Sequence, residues 1–483
     1  MSLFGSFEIG KKALNASQMG QSTTGHNIAN VDTEGFSRQE VSQIASKPTS
    51  DGKGTGVDIA GVRRVHDGFT KQKVVDEQND VGTWQTKEKT LTEAEIIFTD
   101  LEGTRLRGSI DEFWGAWSSV ANEPESGTMR KALVTKAQGL AEGFRSFNRR
   151  LTEFNGTLNG RINAELLDIN EITNEIAMLN KQIQQLDSRR LPANDSRDQR
   201  EVLLQKLAGK IEIRWFENKM GSLEVQVPNG QHLVHGRQSY RLYPFMDAEE
   251  KGNIRIGLIN PPGIETDITD IVKNGSIKEM INQRDGNIKK YKDDLDLMVK
   301  ELVFRVNQIH SGGTGINGIK TDEIGAYTFD PVAVSKPLPF LKSGSFEIKL
   351  LDQDEQIEET ITVELKAGVD TLESVVEKIN RAANGYEITQ EGKEVLKKTN
   401  KFKASLNDEG SISMMTGLGK QFIYGNDETN ILTVLGLNCF FHMNKGASDV
   451  EVNQELLEDE MKVAAGSDLI PGDNKIAMKI AEL

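Results

Sequence analysis

Residues 158–186 read LNGRINAELLDINEITNEIAMLNKQIQQL, and this stretch decides what kind of fold the chain can adopt. Isoleucines recur every seven residues at Ile162, Ile169, Ile176 and Ile183, and a companion row runs through Leu158, Ile172, Leu179 and Leu186, with Glu165 as its one polar gap. Such a repeat indicates a heptad seam on a helix of at least about thirty residues, roughly 45 Å long. A seam one stripe wide fits an intramolecular helical bundle or a coiled coil with another chain, and we favour the bundle.

The segments around the heptad helix differ in composition and in hydrophobic periodicity, and we use these differences to divide the chain into six parts. We assign residues 1–66 to an N-terminal assembly helix and loop, 67–204 to a long-helix shaft, 205–275 to a β-rich insert, 276–324 to a returning shaft helix, 325–445 to an outer α+β module and 446–483 to a returning tail. The predicted fold class is therefore α+β and multidomain: a long α-helical bundle or coiled-coil shaft with inserted antiparallel β and α+β modules.

Period-two alternation of apolar and polar side chains places the strands. In the insert it marks residues 211–215, 223–227 and 254–258. In the outer module it predicts a hairpin from residues 345–350 and 360–365, followed by a helix at 372–380. The segment Glu123-Pro124-Glu125-Ser126-Gly127 interrupts the helical region, and we expect a new helix to begin near Gly127.

The first thirty residues predict a helix with a thin apolar seam at Leu3, Phe7, Leu14 and Ile28. Glycines at positions 10, 20 and 25 and several Ser and Thr residues lower its intrinsic helix propensity. We expect this helix to be marginal alone in water and to need a partner to fold.

The composition excludes several classes of function. The 483-residue chain carries a net charge of −15, which disfavours nucleic acid and anionic lipid as partners. Its single cysteine, Cys439, lies in an apolar run and is expected to be buried. No apolar stretch reaches membrane-spanning length and no signal-peptide pattern opens the chain, so composition alone suggests a cytoplasmic protein.

No catalytic or metal-ligating constellation emerges from the residue patterns. His232 and His235 form His-x-x-His, but regular strand alternation would put them on opposite faces. Asp352-Gln353-Asp354 begins like a calcium loop, yet Ile357 and Val363 occupy the positions that require Gly and Glu. The glycines of residues 52–56 lack the spacing of a phosphate loop. We therefore predict no enzyme activity, no catalytic residue, no cofactor and no metal site.

The segment SLFGSFEIGKKALNASQMGQSTTGHNIANVDTEGFSRQE, residues 2–40, resembles the N-terminal signature of flagellar axial proteins, the rod, hook and hook-associated proteins. The matching elements are Ser2-Leu3, Ala13-Leu14, Asn27-Ile28-Ala29-Asn30, Thr33 and Gly35-Phe36-Ser37-Arg38-Gln39. Later segments resemble the first hook-associated proteins in particular: residues 179–180 with 192–200, 275–310, 435–441 and 463–466. Phe36 stands for a usual Tyr, Glu34 for a frequent Pro, and Ser196 for a common apolar residue.

The resemblance implies a structural subunit of the junction between the flagellar hook and filament, which adapts the flexible hook to the rigid filament and is needed for filament assembly. It implies a ring of identical subunits, contacts with the hook protein and a second junction protein, and an export chaperone. It also implies type III export without a cleaved signal, to an extracellular flagellum or to the periplasm where the flagellum is enclosed. Expected subunit contacts are Leu3, Phe7, Leu14, Asn27, Ile28, Ala29, Asn30, Gly35, Phe36, Ser37 and Arg38.

The family ends in a long apolar helix that pairs with the N-terminal one. This sequence closes at Ala481-Glu482-Leu483 without it, so we expect an incomplete inner core. Two other functions stay open at this point. One is another axial protein, such as the hook or distal-rod protein, and the other is a peptidoglycan hydrolase within residues 325–445.

Overall fold

A computed structural model describes residues 3–50, 52–99, 105–248, 252–260, 263–388, 394–396, 401–417 and 419–483. Ser2, which opens the N-terminal signature, lies outside these residues. The chain forms two compact units that interleave in sequence: the first comprises residues 1–96 and 153–289, and the second comprises residues 97–152 and 290–483.

The helices that end at or before Lys210 are long, and most of the later ones are short. Their bounds are α1 Leu3–Ala29, α2 Gly68–Thr99, α3 Arg105–Asn122, α4 Gly127–Ser188, α5 Asn194–Lys210, α6 Ser276–Asn282, α7 Lys289–His310, α8 Pro331–Val334, α9 Leu372–Asn384, α10 Ile431–Leu435, α11 Gln454–Glu458 and α12 Lys475–Ala481. A π-helical stretch, Gln283–Ile288, joins α6 to α7, and a 3₁₀ turn spans Glu460–Lys462. The predicted break before Gly127 is confirmed.

The strands form small antiparallel sheets. Their bounds are β1 Gln39–Ala45, β2 Val57–Arg64, β3 Arg214–Glu217, β4 Leu223–Gln226, β5 His232–His235, β6 Gln238–Ser239, β7 Arg241–Met246, β8 Ile254–Asn260, β9 Ile264–Asp267, β10 Asp322–Ile324, β11 Gly344–Leu351, β12 Ile357–Leu365, β13 Tyr386–Ile388, β14 Glu394–Leu396, β15 Phe402–Leu406, β16 Ile412–Thr416, β17 Gln421–Asp427, β18 Phe441–His442 and β19 Glu451–Val452. Helices mixed with such sheets confirm the α+β class.

The first unit is built around the part of α4 that carries the heptad repeat. Ile162, Ile169 and Ile176 are fully buried in one core with residues from α5, α6 and the sheets β3-β4-β5-β6 and β7-β8-β9. Ile183 is also fully buried, as is Leu158. The isoleucine row thus packs against elements of its own chain.

The second buried row of α4 differs from the companion row read from the sequence. Ile172, Leu179 and Leu186 are only half-buried, at the edge of the seam. The buried positions are instead Leu166, Thr173 and Asn180, each four residues after an isoleucine of the first row. Both candidate rows repeat every seven residues beside the isoleucines, so spacing alone does not decide which of them is buried. The structure buries the row that includes the polar residues Thr173 and Asn180.

Asn180 can be buried because every polar atom of its amide has a partner. Its Nδ2 donates to the carbonyl oxygens of Leu223, at 2.9 Å, and Gly236, at 2.7 Å. Its Oδ1 accepts from the amide of Leu223 and from the guanidinium of Arg200, at 2.9 and 2.8 Å. The buried amide of Asn180 therefore has the hydrogen-bond partners that buried polar groups require, and most of them are backbone groups of residues 223–236.

The second unit contains a core of aromatic side chains. Phe113 and Trp117 of α3 pack with Phe440 and Phe441, and the ring centroids of Trp117 and Phe440 are 5.3 Å apart. Asn307 of α7 holds this turn, because its Oδ1 accepts from the amides of both phenylalanines at 2.9 Å. Cys439, next to them, is buried as expected.

A further core of the second unit surrounds the predicted hairpin, which is confirmed as β11 and β12 in antiparallel register. Strand β17 pairs with the other edge of β11. The predicted helix is α9, whose start is fixed by a capping box in which Thr371 and Ser374 bond to each other's backbone amides. Within the described residues, no helix has both the length and the apolar character needed to cross a membrane.

His310, at the end of α7, links two segments that are distant in sequence. Its ring is fully buried: Nδ1 lies 2.9 Å from the carbonyl oxygen of Asn438, and Nε2 accepts from the amide of Ala464, also at 2.9 Å. An imidazole that donates through one nitrogen and accepts through the other is neutral. Burial lowers the pKa of His310 to about 4.

This lowered pKa makes the stability of the protein depend on pH. An unfolded histidine titrates near pH 6.5, so between about pH 6.5 and 4 the unfolded chain binds a proton that the folded chain does not. The neutral His310 makes its full contribution to the free energy of unfolding above pH 6.5. That free energy falls by about 3 kcal/mol as the pH is lowered from 6.5 toward 4. We expect His310→Gln, whose amide can also donate and accept, to flatten this part of the pH profile of the denaturant midpoint. Equal slopes for both proteins would contradict the assignment.

Candidate assembly interface

Helix α1 lies on the hairpin formed by β1 and β2. Ala16 and Thr23 face the hairpin and are 3% and 8% exposed. The ammonium group of Lys12 contacts Ser46 Oγ and Asp58 Oδ1, each at 2.9 Å. This bond to Lys12 lowers the pKa of the Asp58 carboxyl. The helix is thus attached by one face only.

The opposite face of α1 carries apolar side chains that point away from the hairpin. Phe7, Leu14 and Ile28, which we call the α1 stripe, are 73%, 59% and 69% exposed. Positions seven or fourteen apart fall on nearly the same side of a helix with 3.6 residues per turn. Exposed apolar side chains aligned in this way are typical of interaction surfaces, and they take no part in the core of the described chain.

The remaining residues expected at subunit contacts divide by exposure. Ala29, Gly35 and Arg38 are exposed, whereas Asn27, Asn30, Phe36 and Ser37 are half-buried. Leu3 is the first residue of α1, and its side chain is outside the described part. Gly35 has a φ of +77°, and a Cβ at this position would collide with the side chain of Val202 on α5. Glycine is therefore required here by both conformation and space.

Asn27 connects the end of α1 to the start of β1 through two hydrogen bonds. Its Nδ2 donates to the carbonyl oxygen of Gln39 at 2.8 Å, and its Oδ1 accepts from the Gln39 amide at 2.9 Å. The ring of His26 stacks edge-on against Phe36, with centroids 5.3 Å apart. The Asn-Ile-Ala-Asn and Gly-Phe-Ser-Arg-Gln segments thus form one folded corner.

Hydrogen bonds attach that corner to the start of α5, which lies in the family-like segment 192–200. The Ser37 amide donates to Asp198 Oδ2 at 3.0 Å, and Gln39 Nε2 donates to Asp195 Oδ1 at 2.8 Å. Asn194 Nδ2 donates to Gln39 Oε1 at 3.0 Å. Two motifs more than 150 residues apart are therefore in direct contact.

A buried group of charges lies beneath this contact. The guanidinium of Arg64 bonds to Asp198 at 2.7 Å and to Glu201 at 2.9 Å, and the ammonium group of Lys71 also bonds to Glu201. Burial lowers the pKa of Lys71. Burial alone would raise the pKa of Glu201, but its bonds to Lys71 and Arg64 outweigh that effect and lower it. Arg64, Asp198 and Glu201 were not predicted as site residues, although Asp198 lies in the quoted motif.

A groove of about 960 Å³ lies beside the corner. It runs between the loop after α1, the exposed side of α4 and the start of α5, and it is lined by Phe36, Met178, Leu179, Val202 and Leu203 among others. Met178 is 64% exposed. The corner thus borders a recess in which these apolar side chains are mixed with polar and charged ones, such as Glu175, Lys181 and Gln182.

The structure contradicts the prediction for His232 and His235. Their rings lie on the same side of the sheet, with centroids 4.7 Å apart, and both face Glu224. The reason is a β-bulge: Val225 pairs with Val234 but Gln226 pairs with His232, so β5 has one extra residue between them. An extra residue reverses the alternation, which sequence alternation alone could not reveal.

The comparisons with known proteins agree with one another. Residues 91–327 match the family described as the flagellar hook-associated protein FlgK helical domain, and residues 7–36 match the family described as flagella basal body rod protein. The chain is 27% identical to flagellar hook-associated protein 1 of Bacillus subtilis over 361 residues, which is 68% of this chain and 70% of that protein. It is 23% identical to the protein of the same name from Salmonella typhimurium, over 70% of this chain and 62% of that protein.

A solved structure extends the comparison to the fold. The flagellar hook junction protein FlgK from Burkholderia pseudomallei aligns with a TM-score of 0.50 and 14% sequence identity, over 82% of this chain and 66% of that one. At this identity the likeness concerns the fold alone, and it agrees with the observed α+β arrangement.

Proposed function

We propose, from the premise that this chain belongs to the family of flagellar hook-associated protein 1, that it is a structural subunit of the junction between the flagellar hook and filament. The observation that carries the proposal is the pair of family matches, at residues 7–36 and 91–327. The second is specific to a hook-associated protein, so it favours the junction over the hook or the distal rod. The place of action is accordingly the bacterial flagellum.

The geometry of α1 suits a subunit that joins identical copies. One face of the helix is attached by polar contacts such as Lys12–Asp58, and the α1 stripe on the other face is free to be covered. Covering an isoleucine or phenylalanine contributes about 1.5–3 kcal/mol. We assign the stripe to contact with a second copy of this chain in a ring.

The finer parts of the proposal concern partners and export. The ring would contact the hook protein on one side and a second junction protein on the other, and an export chaperone would hold the subunit before assembly. A helix of low intrinsic propensity can travel unfolded and fold on assembly, as type III export to the outside or the periplasm requires. The function as a whole is tested in a deletion strain, where hooks should form and filaments should not.

A further inference from the structure

We propose that Glu224, His232 and His235 form a binding site for a divalent transition-metal ion such as Zn²⁺. Glu224 Oε2 lies 2.7 Å from His235 Nδ1 and 3.7 Å from His232 Nδ1. One ligand atom from each residue can be chosen so that all three lie within 4.8 Å of one another. In a tetrahedral zinc site with bonds of about 2.0–2.2 Å, the ligand atoms lie roughly 3.3 Å apart. The distances of 2.7 and 3.7 Å from Glu224 Oε2 to the two histidine nitrogens lie on either side of that value.

One of the two histidine nitrogens that face the carboxylate lacks a hydrogen-bond partner. His232 Nδ1 is buried and makes no hydrogen bond. Buried polar atoms in folded proteins nearly always have a partner. A cation between the two rings and Glu224 Oε2 would coordinate this nitrogen and would balance the charge of a carboxylate that is only 4% exposed.

Neighbouring groups already hold the three side chains in orientation. Glu224 Oε1 accepts from Asn218 Nδ2 at 2.8 Å, and the Gly236 amide is shared between Oε1 at 3.2 Å and Oε2 at 3.3 Å. These bonds hold the carboxylate with Oε2 facing the histidines. Gln226 Nε2 lies 3.1 Å from His232 Nε2. Rotation of the Gln226 amide by 180° would bring its carbonyl oxygen to that nitrogen, where it would accept the Nε2 proton and leave the Nδ1 lone pair for a metal. Such outer contacts are typical of metal-binding histidines.

The kinds of ligand atom at this site indicate which metal ions it would bind. Two imidazole nitrogens and one carboxylate oxygen suit Zn²⁺ and related ions, whereas Ca²⁺ and Mg²⁺ take oxygen ligands. His235 is 58% exposed, so the site opens to solvent and a water molecule can complete the coordination. The ion would connect β4 to both ends of β5 and so stabilise this sheet.

The test uses the full chain without a polyhistidine tag, stripped with a chelator and titrated with zinc sulfate in a calorimeter. We expect one equivalent to bind and to raise the melting temperature, since a ligand that binds only the folded state stabilises it. His235→Ala and His232→Ala should each weaken binding at least about tenfold. His66→Ala, which removes an exposed histidine outside the site, should bind as the wild type does.

Failure to bind one equivalent of zinc would overturn the proposal, as would equal affinity in His235→Ala and His66→Ala. Because His235 is exposed, its alanine variant is expected to fold, and circular dichroism checks this. The site is independent of the flagellar role, so either result leaves that role intact.

Discussion

Replacement of Ile28 by Asp should abolish filament assembly while leaving the isolated subunit folded. Ile28 is 69% exposed and lies on the face of α1 away from the β1–β2 hairpin. A carboxylate there is solvated in the free chain, but in a subunit contact it would be buried without a partner, at a cost of several kcal/mol. The expected result is cells with hooks and no filaments, together with an unchanged circular dichroism spectrum and melting temperature of the purified variant.

Two control variants separate the loss of the apolar contact from the addition of charge. Ile28→Val keeps the stripe apolar and should support filaments. Asn15→Asp adds the same charge to an exposed position of the same helix, about 80–140° around it from the stripe residues, and should also do so. A lower melting temperature for Ile28→Asp would show that Ile28 is internal, and normal filaments would show that the stripe is not a contact.

Replacement of Asp198 by Ala should lower the free energy of unfolding of the first unit by about 3–5 kcal/mol. The side chains of Arg64 and Asp198 are 7% and 6% exposed, so removal of the carboxylate leaves a buried guanidinium with a single acidic partner, Glu201. It also removes the acceptor for the Ser37 amide. Denaturant unfolding measures the loss, and hydrogen exchange should show faster exchange around Ser37.

Asp195 provides the matched control in the same motif. It also bonds to the corner, through Gln39, but its side chain is 64% exposed. Asp195→Ala should therefore change the stability by less than about 1 kcal/mol. Equal losses in the two variants would mean that burial of the Arg64–Asp198 pair is not what holds the corner.

The sequence predicted the elements with strong periodicity and missed the polar positions inside them. The isoleucine row of α4 is buried because apolar spacing reports burial directly. Asn180 was missed because a polar residue in a seam is favourable only when other groups satisfy it, and its backbone partners, Leu223 and Gly236, are distant in sequence. Thr173 was missed although its hydroxyl donates within the helix, to the carbonyl oxygen of Asn170, because apolar spacing does not report such a bond. Strand β3 begins later than predicted because α5 continues to Lys210.

The candidate site was accessible from the sequence only in part. The apolar seam of α1 could be read from spacing, although its assignment to subunit contact remains a proposal. The motif at residues 192–200 can be found from its resemblance to the hook-associated family. Its direct contact with Ser37 and Gln39 cannot, because that contact depends on the tertiary fold. His232 and His235 were misread because a bulge of one residue changes which side chains share a face.

The most direct test of the junction role is electron microscopy of cells that lack this chain, combined with a search for filament protein in the medium. We expect complete hooks without filaments and filament protein released from the cells, both reversed when the gene is restored. Cells without hooks, or cells that still carry filaments, would contradict the assignment of this chain to the hook–filament junction.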